Sequence, residues 1–339
     1  MEDPISALGN QLSRISTRAC SRRSLLASLA LLGLYPLLQG CSADKPMTIA
    51  MHPWPGYELL FLAERQGWLC KNCVRLRETT SASVSLQALH RGEVDGAALT
   101  LDEMLTARNN GLPLTAILVF DISSGADKLM VRPEIRSLPD LAGKRIGVEQ
   151  NALGALLLQL TLQAGGLQLN QLEVVNLPID RHLESWQTTH LDAVITYEPQ
   201  ATRLAAAGAQ ILLDSRRFPG MILDVLAIRT ELLDAGKECL RSLTAGHFRA
   251  LQHLRQNRQD AAYRIADQMR LSPHQVLDTF RELELPSLES NRQYLGGSSP
   301  KLLKAATMLH QIMLDNGLIR RIDPFTDLVS DRFLPKEDA

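Results

Sequence analysis

Short apolar runs alternate with amphipathic helical stretches along residues 47–213, and no other feature of this sequence limits its fold so strongly. Residues 47–52 are apolar and end at Pro53-Trp54-Pro55-Gly56, a turn by composition. Residues 57–66 carry apolar side chains at 59, 60, 62 and 63, then stop at Gly67, the pattern of a short helix. Val74-Arg75-Leu76-Arg77 alternates as a strand does. Thr79-Thr80-Ser81-Ala82-Ser83 offers capping hydroxyls to a helix over 84–91 that ends at Gly92. A strand over 94–100, a helix over 101–110 and a buried strand over 114–120 follow. Such an order predicts an α/β fold with parallel pairing in a doubly wound sheet.

The pattern then restarts. Strands are expected at 145–148, 173–177, 192–196 and 210–213, with helices over 153–164, 180–188 and 199–207. The two βα units are joined near 121–130 and again near 214–228. Residues 231–335 read as largely helical, over 237–257, 258–269, 272–284 and 300–316. A chain of 339 residues exceeds what one core holds efficiently, which agrees with two lobes.

The first forty residues read as an address. Leu25 to Leu38 is an uncharged run of 14 residues, shorter than the ~20 that cross a bilayer, and fits the apolar core of a secretory signal. It ends in Leu38-Gln39-Gly40-Cys41, which resembles a bacterial lipobox and makes Cys41 the lipidation site. Ser21-Arg22-Arg23-Ser24-Leu25-Leu26 resembles a twin-arginine signal and equally an ordinary basic leader. These features predict a chain exported to the periplasm and lipid-anchored to a membrane.

Without 1–40 the chain has 32 basic and 35 acidic side chains, so no excess of cations points to nucleic acid as a partner. Cys70-Lys71-Asn72-Cys73 reads as a local disulfide in an oxidising compartment. A zinc site would need a second ligand pair, which the sequence lacks, so no metal is expected. The motif follows a helix and precedes a strand, the reverse of a thioredoxin-like arrangement.

Four segments, in order, carry a resemblance. They are Trp54-Pro55-Gly56-Tyr57-Glu58 with the helix ending Gln66-Gly67-Trp68-Leu69, then Ala88-Leu89-His90-Arg91-Gly92-Glu93-Val94-Asp95-Gly96-Ala97. After them come Ser137-Leu138-Pro139-Asp140-Leu141-Ala142-Gly143-Lys144-Arg145-Ile146-Gly147-Val148 and Leu191-Asp192-Ala193-Val194-Ile195-Thr196-Tyr197-Glu198-Pro199. Together they resemble the solute-binding family of ABC importers that serves nitrate, alkanesulfonates, taurine and thiamine-pyrimidine precursors. The resemblance implies a two-lobed periplasmic binding protein of type II, with lobe one over 46–124 and 225–335 and lobe two over 125–224. It implies a small ligand held between lobes, an ABC permease and ATPase as partners, a monomer, no cofactor and no catalytic group. A sensor reporting to a membrane receptor would share this chain. An enzyme like the thiamine-pyrimidine synthases would need a cysteine-rich motif that the sequence lacks.

In open α/β sheets ligands sit at the carboxyl ends of strands, where helix N-termini point. That rule and the resemblance nominate Trp54, Gly56 and Tyr57, then Ser81 and Ser83, then Ser124 and Asp127 at the crossing. In the second unit they nominate Glu149, Asn151, His182, Tyr197 and Glu198. Each has a plainer reading: a tryptophan that pins its loop, serines that cap a helix, a histidine that caps or faces solvent. Trp186 falls mid-helix and reads as core. Among the loop charges, Glu58, Asp127, Glu149, Glu198 and Asp224 outnumber His52, Lys128, Arg181 and His182. Acids facing inward would favour an amine or aminopyrimidine. Acids facing outward would leave helix N-termini free for an oxyanion such as nitrate or a sulfonate.

Overall fold

The computed structural model describes residues 45–336; the leader and Cys41 lie outside the described residues. The first unit runs β1 (Met47–Met51), α1 (Glu58–Arg65), β2 (Val74–Glu78), α2 (Ala82–His90), β3 (Gly96–Thr100), α3 (Leu101–Asn109) and β4 (Leu114–Ser123). The second runs β5 (Asp127–Val131), β6 (Arg145–Val148), α4 (Ala152–Gly165), β7 (Glu173–Asn176), α5 (His182–Thr188), β8 (Ala193–Tyr197), α6 (Gln200–Ala206) and β9 (Gln210–Asp214). The chain returns through β10 (Leu223–Arg229). It continues as α7 (Lys237–Gln256), α8 (Arg258–Met269), α9 (Pro273–Phe280), β11 (Leu283–Glu284), α10 (Leu288–Leu295) and α11 (Lys301–Asp315).

Two sheets result. One has the order β11-β4-β10-β3-β1-β2 and the other β7-β6-β8-β5-β9. Parallel pairing holds for β1 with β2 and β3, and for β6 with β7 and β8. It does not hold throughout, and both joining segments contain strands that the sequence pattern did not announce. β10 enters antiparallel between β3 and β4, and β5 lies antiparallel between β8 and β9. A strand that comes back from the other sheet meets its new neighbours head to tail, so it pairs antiparallel. β5 is buried along its whole length and β10 along all but its last residue, and such strands show no alternation to read.

The chain passes between sheets at 124–126 and again at 215–222. Ser215 ties the crossings together: its Oγ lies 2.8 Å from Ser123 Oγ and accepts the Gly125 N–H at 2.6 Å. Gly125 has φ +120°, which an L side chain rarely adopts.

The C-terminal helices cover the back of the six-stranded sheet. Helix α7 buries Leu240, Leu243, His247, Ala250, Leu251 and Leu254, a stripe at helical spacing, and packs on α1. Contact is close enough that a Cβ on Gly246 would stand 2.3 Å from a Leu69 methyl. The helix expected over 272–284 ends at Phe280, and its tail becomes β11 on the edge of β4. Trp186 is core, buried under the Arg132 guanidinium 3.9 Å from its ring.

Candidate functional site

The carboxyl ends of β1, β3 and β8 converge with the start of β5 and β10 on a narrow cavity of about 10 Å³, room for about one water. His52, Trp54 and Tyr197 form its aromatic wall, and Ala82, Thr100 and Leu153 complete the frame. Its carboxylates are Glu103, Asp127 and Asp224. No lysine or arginine is among its lining residues. Arg203 and Arg270 instead line an outer groove with Pro53, Thr79 and Pro199.

The Pro-Gly turn after β1 sets the aromatic wall. Trp54 is buried and donates its Nε1–H to Asp121 Oδ2 at 3.0 Å. Tyr57, behind it, donates its hydroxyl to Asp224 Oδ1. Gly56 is required here by space: a Cβ would stand 1.8 Å from Asp121 Oδ2. His52 meets the rings of Tyr57 and Tyr197 edge-on at 5.2 and 6.0 Å. Trp54 meets Tyr197 at 5.8 Å. Burial pushes the His52 imidazole down to about 3, so it stays neutral and supplies no cation.

The carboxylates behave in the opposite sense. Burial raises Asp127 to about 7 and Asp121 to about 8. Burial, reinforced by the Asp121 charge, holds Asp224 well above the usual range, and burial with Asp102 does the same to Glu103. Glu149 is raised by burial too. Asp127 is 1% exposed, and neither of its carboxylate oxygens has a hydrogen-bond partner among the described residues. Asp224 Oδ2 is likewise unpartnered.

The helix N-termini beside the cavity are occupied by the chain's own side chains. Glu149 accepts the Ser83 hydroxyl at 2.7 Å at the start of α2. Glu103 accepts the Thr100 N–H at 3.1 Å at the start of α3. Asn151 caps α4, accepting the Gly154 N–H at 2.7 Å while its Nδ2 donates to Glu103 at 3.1 Å. Side chains of the two sheets thereby meet across the cavity.

Of the residues nominated from sequence, Trp54, Asp127 and Tyr197 line the cavity, and Gly56, Tyr57, Ser83, Glu149 and Asn151 stand directly behind it. Ser81 is the α2 cap, accepting the Val84 N–H at 3.4 Å. Ser124 is exposed, and its N–H binds the Glu282 carbonyl at 2.8 Å. Glu198 is paired with buried Lys128, which also binds Glu282. His182 is held away from the cavity by Thr196 Oγ1 and the Leu177 carbonyl, each at 3.0 Å. Asp121 and Glu103 are the acids that neither the nominations nor the loop charges included, and Asp224 was weighed only among the loop charges. Thr100 and Glu103 form a capping pair at the start of α3, a local role that gives no sign of the second use of Glu103. Cys70, Cys73 and Cys239 are free thiols, with Cys70 exposed, and no disulfide joins Cys70 to Cys73 here. Among the described residues no group of three histidine, cysteine or acidic side chains is placed to hold a metal ion.

Two mixed sheets with a polar cavity between them define the class: a two-lobed periplasmic binding protein fold. The chain matches the NMT1-like family over residues 41–269 and belongs to it. It is 25% identical over 179 residues to the taurine-binding periplasmic protein of Escherichia coli K12. That match covers 52% of this chain and 56% of the relative, so the chain spans about half the length of the curated relatives it matches. Its fold is similar to the alkanesulfonate-binding protein SsuA of Xanthomonas axonopodis pv. citri bound to MOPS. There the TM-score is 0.69 with 17% identity, covering 82% of this chain and 95% of that one. The ligand-binding component of an ABC-type import system from Staphylococcus aureus gives 0.71 with 13% identity, covering 87% and 99%. These relatives and structural neighbours are named as ligand-binding proteins.

Proposed function

We propose that the chain captures a small polar solute between two lobes and delivers it to the permease and ATPase of an ABC importer. The observation that carries this reading is the cavity, built by side chains of both sheets: Trp54, Glu103 and Asp224 from one and Asp127 and Tyr197 from the other. A site split between two bodies binds best when they close, so ligand and closure stabilise each other. The lobes on this reading are 46–124 with 225–335, and 125–224, hinged at the crossings stitched by Ser215. Export of a monomer to the periplasm and lipidation at Cys41 complete the proposal. Among the described residues no helix is long and apolar enough to cross a membrane.

The test is recovery of the natural solute. The full chain is purified from its native host under gentle conditions and denatured, and released small molecules are identified by mass spectrometry. One stoichiometric organic solute, bound unchanged, is expected, and deletion of the gene should abolish its high-affinity uptake. A chain that carries no solute, or that converts the one it carries, would overturn the reading.

A further inference from the structure

The solute-binding reading, on which this inference rests, leaves the chemistry of the solute open. We propose that the cavity takes a small organic cation with two or more N–H donors, an ammonium or amidinium, that bridges Asp127 and Asp224 against the Trp54–Tyr197 wall.

Three observations lead there. First, among the described residues the unpartnered polar atoms in the wall are Asp127 Oδ1 and Oδ2, Asp224 Oδ2, Thr100 Oγ1 and His52 Nδ1, and three of these five are carboxylate oxygens. Asp127 is on β5 and Asp224 on β10, so the two lie on different sheets. A donor-rich cation would neutralise both and pin the sheets together. Second, the features that hold an oxyanion elsewhere are taken. The starts of α2, α3 and α4 already hold Glu149, Glu103 and Asn151. Lys128, the nearby cation, is held by Glu198 and Glu282. A sulfonate or nitrate could enter only with these acids held neutral, and no lysine or arginine lines the cavity to balance its charge, at a cost of several kcal/mol, roughly. Third, the aromatic wall suits a cation, whose charge is attracted to the faces of Trp and Tyr.

Binding of such a cation favours ionised carboxylates, so it releases protons. The groups that set this exchange are Asp127, Asp224, Asp121, Asp102 and Glu103, neutral His52 and the Tyr57 hydroxyl, with the Lys128–Glu198 pair beside them.

The experiment is calorimetry on the full chain at pH 7.5 with benzamidine, 1,4-diaminobutane, tetramethylammonium, taurine, ethanesulfonate and nitrate. Binding of benzamidine or 1,4-diaminobutane is expected, with protons released in buffers of different ionisation heat. Tetramethylammonium, which has charge but no N–H, should bind at least tenfold more weakly. Asp127→Asn should weaken the cation at least a hundredfold while its melting temperature is no lower than that of the native chain. Failure of both N–H cations to bind at 10 mM would overturn the inference, as would equal binding of tetramethylammonium. Binding of nitrate or ethanesulfonate in place of cations would overturn it while leaving the solute-binding reading intact. Recovery of an anionic natural solute would do the same.

Discussion

Asp127 and Asp121 are acids that burial keeps largely protonated in the fold, whereas the unfolded chain ionises them near pH 4. The folded state then binds more protons, so stability falls as pH rises, by roughly 1.4 kcal/mol per pH unit for each such group. Glu58, pushed up to about 8 by burial, adds to the effect. Buried His52, His182 and His247, depressed to about 3, 4 and 3, act the other way only below their unfolded value of about 6.5. Melting temperature should therefore decline from pH 6.5 to 8. Asp127→Asn removes one contributor. Its gain over the native chain should grow from pH 4 to about 7 and then level off; a gain independent of pH would show that Asp127 ionises freely. Gly56→Ala tests the same wall through space. Its methyl would displace the Asp121 carboxylate from Trp54 Nε1, leaving a buried donor unpaired at a cost of about 1–3 kcal/mol by chemical denaturation. Unchanged stability would mean that Asp121 can retreat without losing Trp54.

Helix starts decide how the site is framed, and they also decide how much of it was legible. Only the cap of α2, Ser81, shows in sequence; the caps Asn151 and the Thr100–Glu103 pair emerge from the structure. The helices after β1, β2, β3, β6 and β8 were readable from their apolar spacing and, after β1 and β2, from the glycines that end them. A cap reveals nothing of what lies across a cleft, and so the Asn151–Glu103 contact between α4 and α3 was invisible. The same limit hid β10. Its register sets Asp224 opposite Thr100 and Asp121, and those pairings join residues more than a hundred positions apart. Tyr197 and Trp54 were found because large aromatics in polar loops are rare in a chain with 4% aromatic residues. Asn151→Ala should cost about 1–2 kcal/mol from the lost cap of α4 and also free one Glu103 oxygen. Thermal unfolding with cation binding measured alongside checks this. A variant destabilised by that amount but unchanged in binding would confine Asn151 to its helix.

At the scale of the whole molecule, the cavity is too narrow for an organic solute, so entry requires the sheets to separate and re-close. On the proposed two-lobe reading, motion is concentrated at two crossings, 124–126 and 215–222, and four polar contacts oppose it, one of them from Arg203 to the Met269 carbonyl. Ser83 holds Glu149, Asn151 holds Glu103, and Lys128 holds Glu282. Each is a modest interaction, worth about 0.5–1.5 kcal/mol when neutral and somewhat more when charged. Together they are comparable to the free-energy gap between two populated states of a binding protein. Removing two of them, with Ser83→Ala and Asn151→Ala combined, should therefore shift the population toward an open form. Small-angle scattering should show a larger radius of gyration for this double variant than for the native chain at pH 7.5. A bridging ligand acts on the opposite side of the same equilibrium, because on the proposed reading it binds Asp127 of one sheet and Asp224 of the other at once. Saturating ligand should return the double variant to native dimensions. Identical scattering with and without the two substitutions would mean that the sheets are held by packing at the crossings, and that the polar contacts report closure without controlling it.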